Sequence, residues 1–266
     1  MNADTIFKRL WEQYIAENPG AGEIHQLFVN EGETVINDHI AFRTFDDPRV
    51  NIDVLARPFL DAGYVPAGEY FFEVKKLRAR HYELPGSSEA PRVFISELML
   101  DQFSDELQKT IREQLDVVSG EVLASPDLVL QGSIFPSISY EVYMRLRKES
   151  EYAAWVYAFG YRANHFTVSI NHLEKFEGIE EVNSFLKSNG FQLNSSGGEV
   201  KGSPEKLLEQ SSTLADQVEV NFVEGTYRIP GCYYEFAKRY PDESGKIFSA
   251  FIAGSADKIF ESTDYR

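Results

Sequence analysis

The chain is poor in cysteine. Its single thiol, Cys232, has no partner for an intramolecular disulfide, and a zinc site built on two or more cysteines is excluded within one chain. Long apolar runs are missing too. None approaches the ~20 residues that a helix needs to cross a bilayer, so no membrane partner is expected. The first dozen residues lack the basic-then-apolar order of a secretory leader. These absences together give the expectation of a soluble, cytoplasmic protein in a reducing compartment. Basic side chains are also in short supply. Lys and Arg number 26 against 42 Asp and Glu, a formal net charge of −16. Such a surface repels phosphate backbones, which disfavours nucleic acid as a partner. A site for an acidic substrate must then gather positive charge locally, on an arginine or a metal ion.

What the chain has is ample material for a core. Hydrophobic residues make up 43% and aromatics 14% of its 266 residues, values of a globular protein. One stretch organises the rest: Asn37-Asp38-His39-Ile40-Ala41-Phe42-Arg43-Thr44-Phe45 alternates as a strand. His39, Ala41 and Arg43 share one face, and Ile40, Phe42 and Thr44 the other. A second strand with the same layout follows later, Asn164-His165-Phe166-Thr167-Val168-Ser169-Ile170. The periodicity predicts helices over 5–17, 52–61, 103–118, 151–159 and 179–187, with the first stopped by Asn18-Pro19-Gly20. It predicts strands over 69–74, 78–84, 92–98, 218–223 and 232–237. Ser203-Pro204-Glu205 reads as another helix start. A short helix is expected in the tail, around 247–252 and 259–260.

The two histidine strands begin a repeat. From His39 the pattern runs strand, helix, then Gly63-Tyr64; from His165 it runs strand, helix, then Gly190-Phe191. Each half later has a strand that follows a Pro-Gly turn and carries a carboxylate, Glu97 in the first and Glu235 in the second. The fold expected is α+β: duplicated βαβββ modules forming one curved mixed sheet with helices on its convex face. The modules cover about 30–118 and 160–240 of a single domain. Residues 119–159 bridge them, 195–210 are an insertion, and 241–266 are a packed tail.

Polar residues on the concave faces give the site. His39, His165 and Glu235 are the ligand set of a facial metal triad, which leaves open positions for a chelating substrate and O₂. Iron, Fe(II), suits such chemistry, whereas Zn²⁺ on the same ligands would activate water. Glu97 is open as a fourth ligand, a base beside the metal, or a plain strand-end charge. Arg43 is shaped to grip a carboxylate. Thr167 and Ser169 offer hydroxyl contacts, and Arg80, with Arg78, is a further candidate for the substrate. His25, His81 and His172 have no partner in the repeat and are set aside. Cys232 reads as packing, and Tyr233 and Tyr234 as pocket wall or core.

The paired modules resemble the vicinal oxygen chelate superfamily. More closely, Asp38-His39-Ile40-Ala41-Phe42-Arg43, Asn164-His165-Phe166-Thr167 and Gly231-Cys232-Tyr233-Tyr234-Glu235-Phe236 resemble the family catalogued as DUF1338, which includes 2-oxoadipate dioxygenase/decarboxylase (hydroxyglutarate synthase). The resemblance implies an Fe(II) enzyme of lysine catabolism that takes 2-oxoadipate and O₂ to 2-hydroxyglutarate and CO₂. It implies His39, His165 and Glu235 as metal ligands and Arg43 as the substrate-binding arginine. Members with this activity are longer and draw part of their pocket from an extra C-terminal segment. Two other readings stay open on the same scaffold. One is a glyoxalase-like isomerase or metal hydrolase using Zn²⁺, Ni²⁺ or Mn²⁺; the other is a non-catalytic small-molecule binding protein. Oligomeric state has no marker in the sequence.

Overall fold

The computed structural model describes residues 2–263. Asn2 caps the first helix, α1 (Ala3–Glu17), by accepting the Thr5 N–H at 3.0 Å. Its stripe of Ile6, Leu10 and Tyr14 is buried. Asn18-Pro19-Gly20 ends this helix as expected, with Asn18 as its C-cap. It also starts a second helix, α2 (Pro19–Asn30), with proline at the first turn, where its missing N–H is no loss. Ala21, Ile24 and Phe28, at helical spacing, are its buried face.

Then come β1 (Asn37–Phe45), α3 (Ile52–Asp61), β2 (Val65–Phe72), β3 (Leu77–Glu83) and β4 (Arg92–Leu98). The connection contains α4 (Asp105–Asp116), α5 (Gly120–Leu123), α6 (Tyr140–Glu149) and α7 (Glu151–Phe159). The second half is β5 (Ala163–Ser169), α8 (Ile179–Ser188), β6 (Lys201–Ser203), β7 (Leu208–Ser212), the hairpin β8 (Gln217–Phe222) and β9 (Gly225–Pro230), and β10 (Tyr233–Arg239). The tail ends in α9 (Ala253–Ile259) and a short 3₁₀ turn, Phe260–Thr263.

Eight strands form one sheet in the order β2-β3-β4-β1-β5-β10-β7-β6. β1 runs parallel to β4, and β5 parallel to β10; the halves meet along antiparallel β1 and β5. The second half therefore repeats the first strand for strand, and the duplicated βαβββ expectation holds. Two assignments change. Residues 218–222 lie in β8, which among the described residues pairs with β9 in a separate two-stranded hairpin, so the inserted element falls between β7 and β10. Residues 195–210 contribute β6 and the start of β7. Ser203-Pro204-Glu205 yields one 3₁₀ turn, because Leu207 takes a left-handed conformation (φ 64°) and turns the chain back into β7.

The apolar strand faces pack under helices on the convex side. Trp11 of α1 lies edge-on to Phe166, with ring centroids 5.0 Å apart, and Phe59 of α3 meets Phe42 at 5.4 Å. Full burial of each such ring is worth about 1.5–3 kcal/mol. The concave side is covered as well, which the sequence reading does not foresee. The Tyr152 hydroxyl of α7 donates to the Ser96 carbonyl at 2.7 Å and accepts the Thr44 N–H at 3.0 Å. Ser96 and Arg43 are register partners on the concave face, so α7 lies inside the cup. Gly160 (φ 72°) ends α7, and a Cβ there would stand 2.0 Å from the Gly132 carbonyl oxygen. The bridge is thus part of the site's walls. So is the tail, whose residues 247–252 form no helix, although 259 closes α9 (Ala253–Ile259).

Candidate metal centre

Strand register builds the centre. Thr167 on β5 stands between His39 on β1 and Glu235 on β10, and His165 pairs with Ala41 and Tyr233. With a side-chain period of two, His39, His165 and Glu235 project from three adjacent strands onto the concave face. Their ligand atoms lie within 4.8 Å of one another, the only such cluster of three found among the described residues. His39 Nε2 is 3.6 Å from Glu235 Oε1, and His165 Nε2 is 3.2 Å from Oε2. Thr167 Oγ1 sits 3.1 Å from His39 Nε2.

The same device aims both rings. His39 Nδ1 is 2.8 Å from Asp38 Oδ1, and His165 Nδ1 is 2.9 Å from Asn164 Oδ1. A preceding side-chain oxygen accepts from Nδ1 in each case, which leaves the Nε2 lone pair toward Glu235. Burial lowers the His39 pKa, against the pull of Asp38. Burial, then the charges of His39 and Arg43, lower that of His165 well below the usual range. Both rings are therefore neutral, as ligands must be. Burial pushes the Glu235 carboxyl up to about 8, although Gln210 Nε2 donates to its Oε1 at 2.6 Å. Burial also works against the Asp38 charge, but Arg239 and His39 outweigh it and hold Asp38 well below the usual carboxylate range.

Several buried polar atoms around the centre have no hydrogen-bond partner among the described residues, notably Gln210 Oε1 and the Tyr233 hydroxyl. Tyr233 stacks on His165, centroids 4.7 Å apart, and is the wall expected of it. Two imidazole nitrogens, a buried carboxylate and unspent polar atoms fit a divalent cation with open coordination positions.

Arg43 is fully buried on the same face. Its Nη1 donates to Glu151 at 3.3 Å and its Nη2 to Thr263 Oγ1 at 3.3 Å. Tyr152 and Trp155 flank the guanidinium at 5.1 and 5.3 Å. Ser169 is concave but turns its hydroxyl to His172 Nδ1 at 2.9 Å.

Two sequence candidates lie elsewhere. Arg80 is on the convex face of β3, where it pairs with Asp53 of α3 at 2.8 Å and Glu69 at 3.0 Å. Period two turns its neighbour His81 inward instead, with Nδ1 2.8 Å from the Tyr70 hydroxyl. Glu97 is likewise convex. It accepts the Ile52 N–H at the start of α3 at 2.8 Å and pairs with Arg78. Burial raises its pKa against those partners. Glu97 is also not the repeat partner of Glu235. Glu235 pairs with Thr167, two residues past His165; the residue pairing with Ala41, two past His39, is Phe94. The fourth corner of the site is an aromatic ring.

The sequence reading misses the supports: Asp38, Asn164, Gln210, Arg239 and Phe251. Only the first two left a signal, the matching Asp-His and Asn-His pairs.

Comparison with known proteins agrees with this geometry. The sequence model of the 2-oxoadipate dioxygenase/decarboxylase family matches residues 6–129 and 127–247. A chloroplastic 2-oxoadipate dioxygenase/decarboxylase of Arabidopsis thaliana is 37% identical over 98% of this chain and 78% of its own. The crystal structure of rice (Oryza sativa) hydroxyglutarate synthase in complex with 2-oxoadipate superposes with a TM-score of 0.91 at 37% identity, covering 97% of this chain and 91% of that one. A Shewanella frigidimarina protein provisionally designated a hydrolase superposes at 0.90 with 52% identity, over 95% of this chain and 98% of that one. A glyoxalase-superfamily protein of Ralstonia eutropha, 18% identical, shares the fold at 0.78 over 94% of this chain and 85% of its own. The chain belongs to the 2-oxoadipate dioxygenase/decarboxylase family.

Proposed function

We propose that the protein is an Fe(II)-dependent dioxygenase that converts 2-oxoadipate and O₂ to 2-hydroxyglutarate and CO₂. The observation that carries this reading is the convergence of His39, His165 and Glu235 on the face that also holds Arg43. The similarity to proteins named for that reaction and to the rice structure with 2-oxoadipate supports the substrate. His39 Nε2, His165 Nε2 and Glu235 would hold the ion. When bound, Fe(II) supplies open positions for the 2-oxo acid and the electrons that activate O₂.

The protein's own groups do the rest. Asp38 and Asn164 fix the two rings so that both Nε2 atoms face inward. Gln210 steadies Glu235, whose carboxyl gives up its proton as the site is loaded. Arg43, buried against the Tyr152 and Trp155 rings, is a guanidinium already stripped of water. We assign it the carboxylate of the substrate; Glu151 shares its charge until then. Thr167 places a hydroxyl beside His39 Nε2. Phe94, Phe251 and Tyr70 line the first half with aromatic surface and keep bulk water out.

The isomerase alternative could recruit Glu97 as a fourth ligand or a base, but Glu97 lies on the convex face and the corner is occupied by Phe94, which disfavours it. Oxygen uptake by Fe(II)-loaded protein decides the matter. Uptake is expected with 2-oxoadipate, with one CO₂ released per O₂ consumed. No uptake across a panel of 2-oxo diacids, or turnover that persists without oxygen, would refute the reading.

A further inference from the structure

One side chain ties the cover of the centre to a metal ligand. Arg239 lies four residues beyond Glu235 on β10 and is 2% exposed. One edge of its guanidinium grips Asp38, with Nε to Oδ2 at 2.6 Å and Nη2 to Oδ1 at 3.0 Å. From the other edge, Nη1 donates to the carbonyls of Phe248 at 3.0 Å and Ala250 at 2.7 Å. The Phe251 ring lies against its face, 5.0 Å from the guanidinium carbon. That ring meets His39 edge-on, with centroids 4.8 Å apart and planes at 86°. From the opposite half, the Tyr70 hydroxyl accepts the Phe251 N–H at 3.0 Å. Residues 248–251 are thus a strap across His39, held by Arg239 on one side and Tyr70 on the other.

Neutralising Asp38 alone does not require this arrangement. Arg92 Nη1 already stands 3.4 Å from Asp38 Oδ2. A guanidinium is rigid and planar, so the edge that meets the strap fixes the angle of the edge that meets Asp38. Asp38 in turn sets the His39 ring through Nδ1. Moving the strap must therefore re-aim the ligand.

We propose that Arg239 is a positioning residue that makes closure of the 248–251 strap and alignment of His39 a single event. The proposal rests on the triad binding metal, and not on which substrate is used. Its test uses the full chain with Co²⁺ as the probe ion. Affinity is read from the visible spectrum, and strap opening from backbone hydrogen exchange over 248–251. In the wild type, Co²⁺ should slow exchange in the strap. Arg239→Lys can still meet Asp38 but cannot span both carbonyls. It should bind Co²⁺ about 10–100-fold more weakly, and its strap should no longer respond to the ion. Tyr70→Phe touches neither Arg239 nor Asp38 and frees the strap from the far side. By reciprocity it should weaken Co²⁺ binding by about fivefold or more. It decides the question alone if Arg239→Lys does not fold. Wild-type Co²⁺ affinity in Arg239→Lys overturns the latch. So does a loosened strap in Tyr70→Phe with unchanged affinity. A wild type that binds no Co²⁺ instead refutes the triad itself.

Discussion

Replacing Glu235 by Gln should make the metal-free protein more stable while abolishing its metal site. The carboxyl titrates near 8 in the fold and at 4.5 when unperturbed. Because the folded value is the higher one, its contribution to stability is complete below about 4.5 and is lost as pH rises toward 8. Across that window the fold must retain a proton that the unfolded chain releases. Stability therefore falls by about 1.4 kcal/mol per pH unit from this group alone. Between pH 5 and 8 the loss is on the order of 4 kcal/mol, or roughly 8–16 °C in Tm for a chain of this size. Gln keeps the oxygen that accepts from Gln210 at 2.6 Å and has nothing to ionise. Chelator-treated wild type and Glu235→Gln, unfolded in denaturant from pH 5 to 8.5, should therefore diverge steadily, with the variant the more stable at the alkaline end. Saturating Fe(II) or Co²⁺ should reverse the order, because only the wild type binds the ion. Parallel pH profiles for the two proteins would refute the reasoning, since they would mean that the buried carboxyl is not held protonated.

The other predictions concern the neighbours. Arg43→Lys keeps the charge and loses the planar fork, so KM for 2-oxoadipate should rise about tenfold or more, with metal affinity unchanged in a Co²⁺ titration. Glu97→Gln should lower stability by about 1–2 kcal/mol through the lost contacts with α3 and Arg78, and leave both metal affinity and kcat intact. In buffered solution below pH 8, loading the site with Co²⁺ should release about one proton per ion, measured by calorimetry in buffers of different ionisation enthalpy, and Glu235→Gln should release none.

The fold was legible where side chains alternate over long stretches. The faces of residues 37–45 and 164–169 follow from period two, and those faces are the ones observed. The duplication was legible because each half repeats a histidine strand, a helix and a glycine turn. Two kinds of information were not. Register was one: counting residues from His39 makes Glu97 the mate of Glu235, but pairing along the strands makes it Phe94. The two positions are three residues apart, an odd number, so Glu97 falls on the helix side, where it caps α3, and the same parity takes Arg80 out of the site. Long-range closure was the other. Phe251 and Thr263 reach the centre from the tail, and Tyr152 and Trp155 from the bridge. No local pattern in residues 119–159 or 241–266 marks them as walls, because their partners lie on strands far away in sequence.

The central claim is that His39, His165 and Glu235 form one metal centre. Anomalous diffraction at the iron edge, from crystals of the Fe(II)-loaded protein grown without oxygen, tests it most directly. The account predicts a single strong peak about 2 Å from His39 Nε2, His165 Nε2 and a Glu235 carboxylate oxygen. A loaded crystal with no peak there, or with its peak at Glu97, would contradict it.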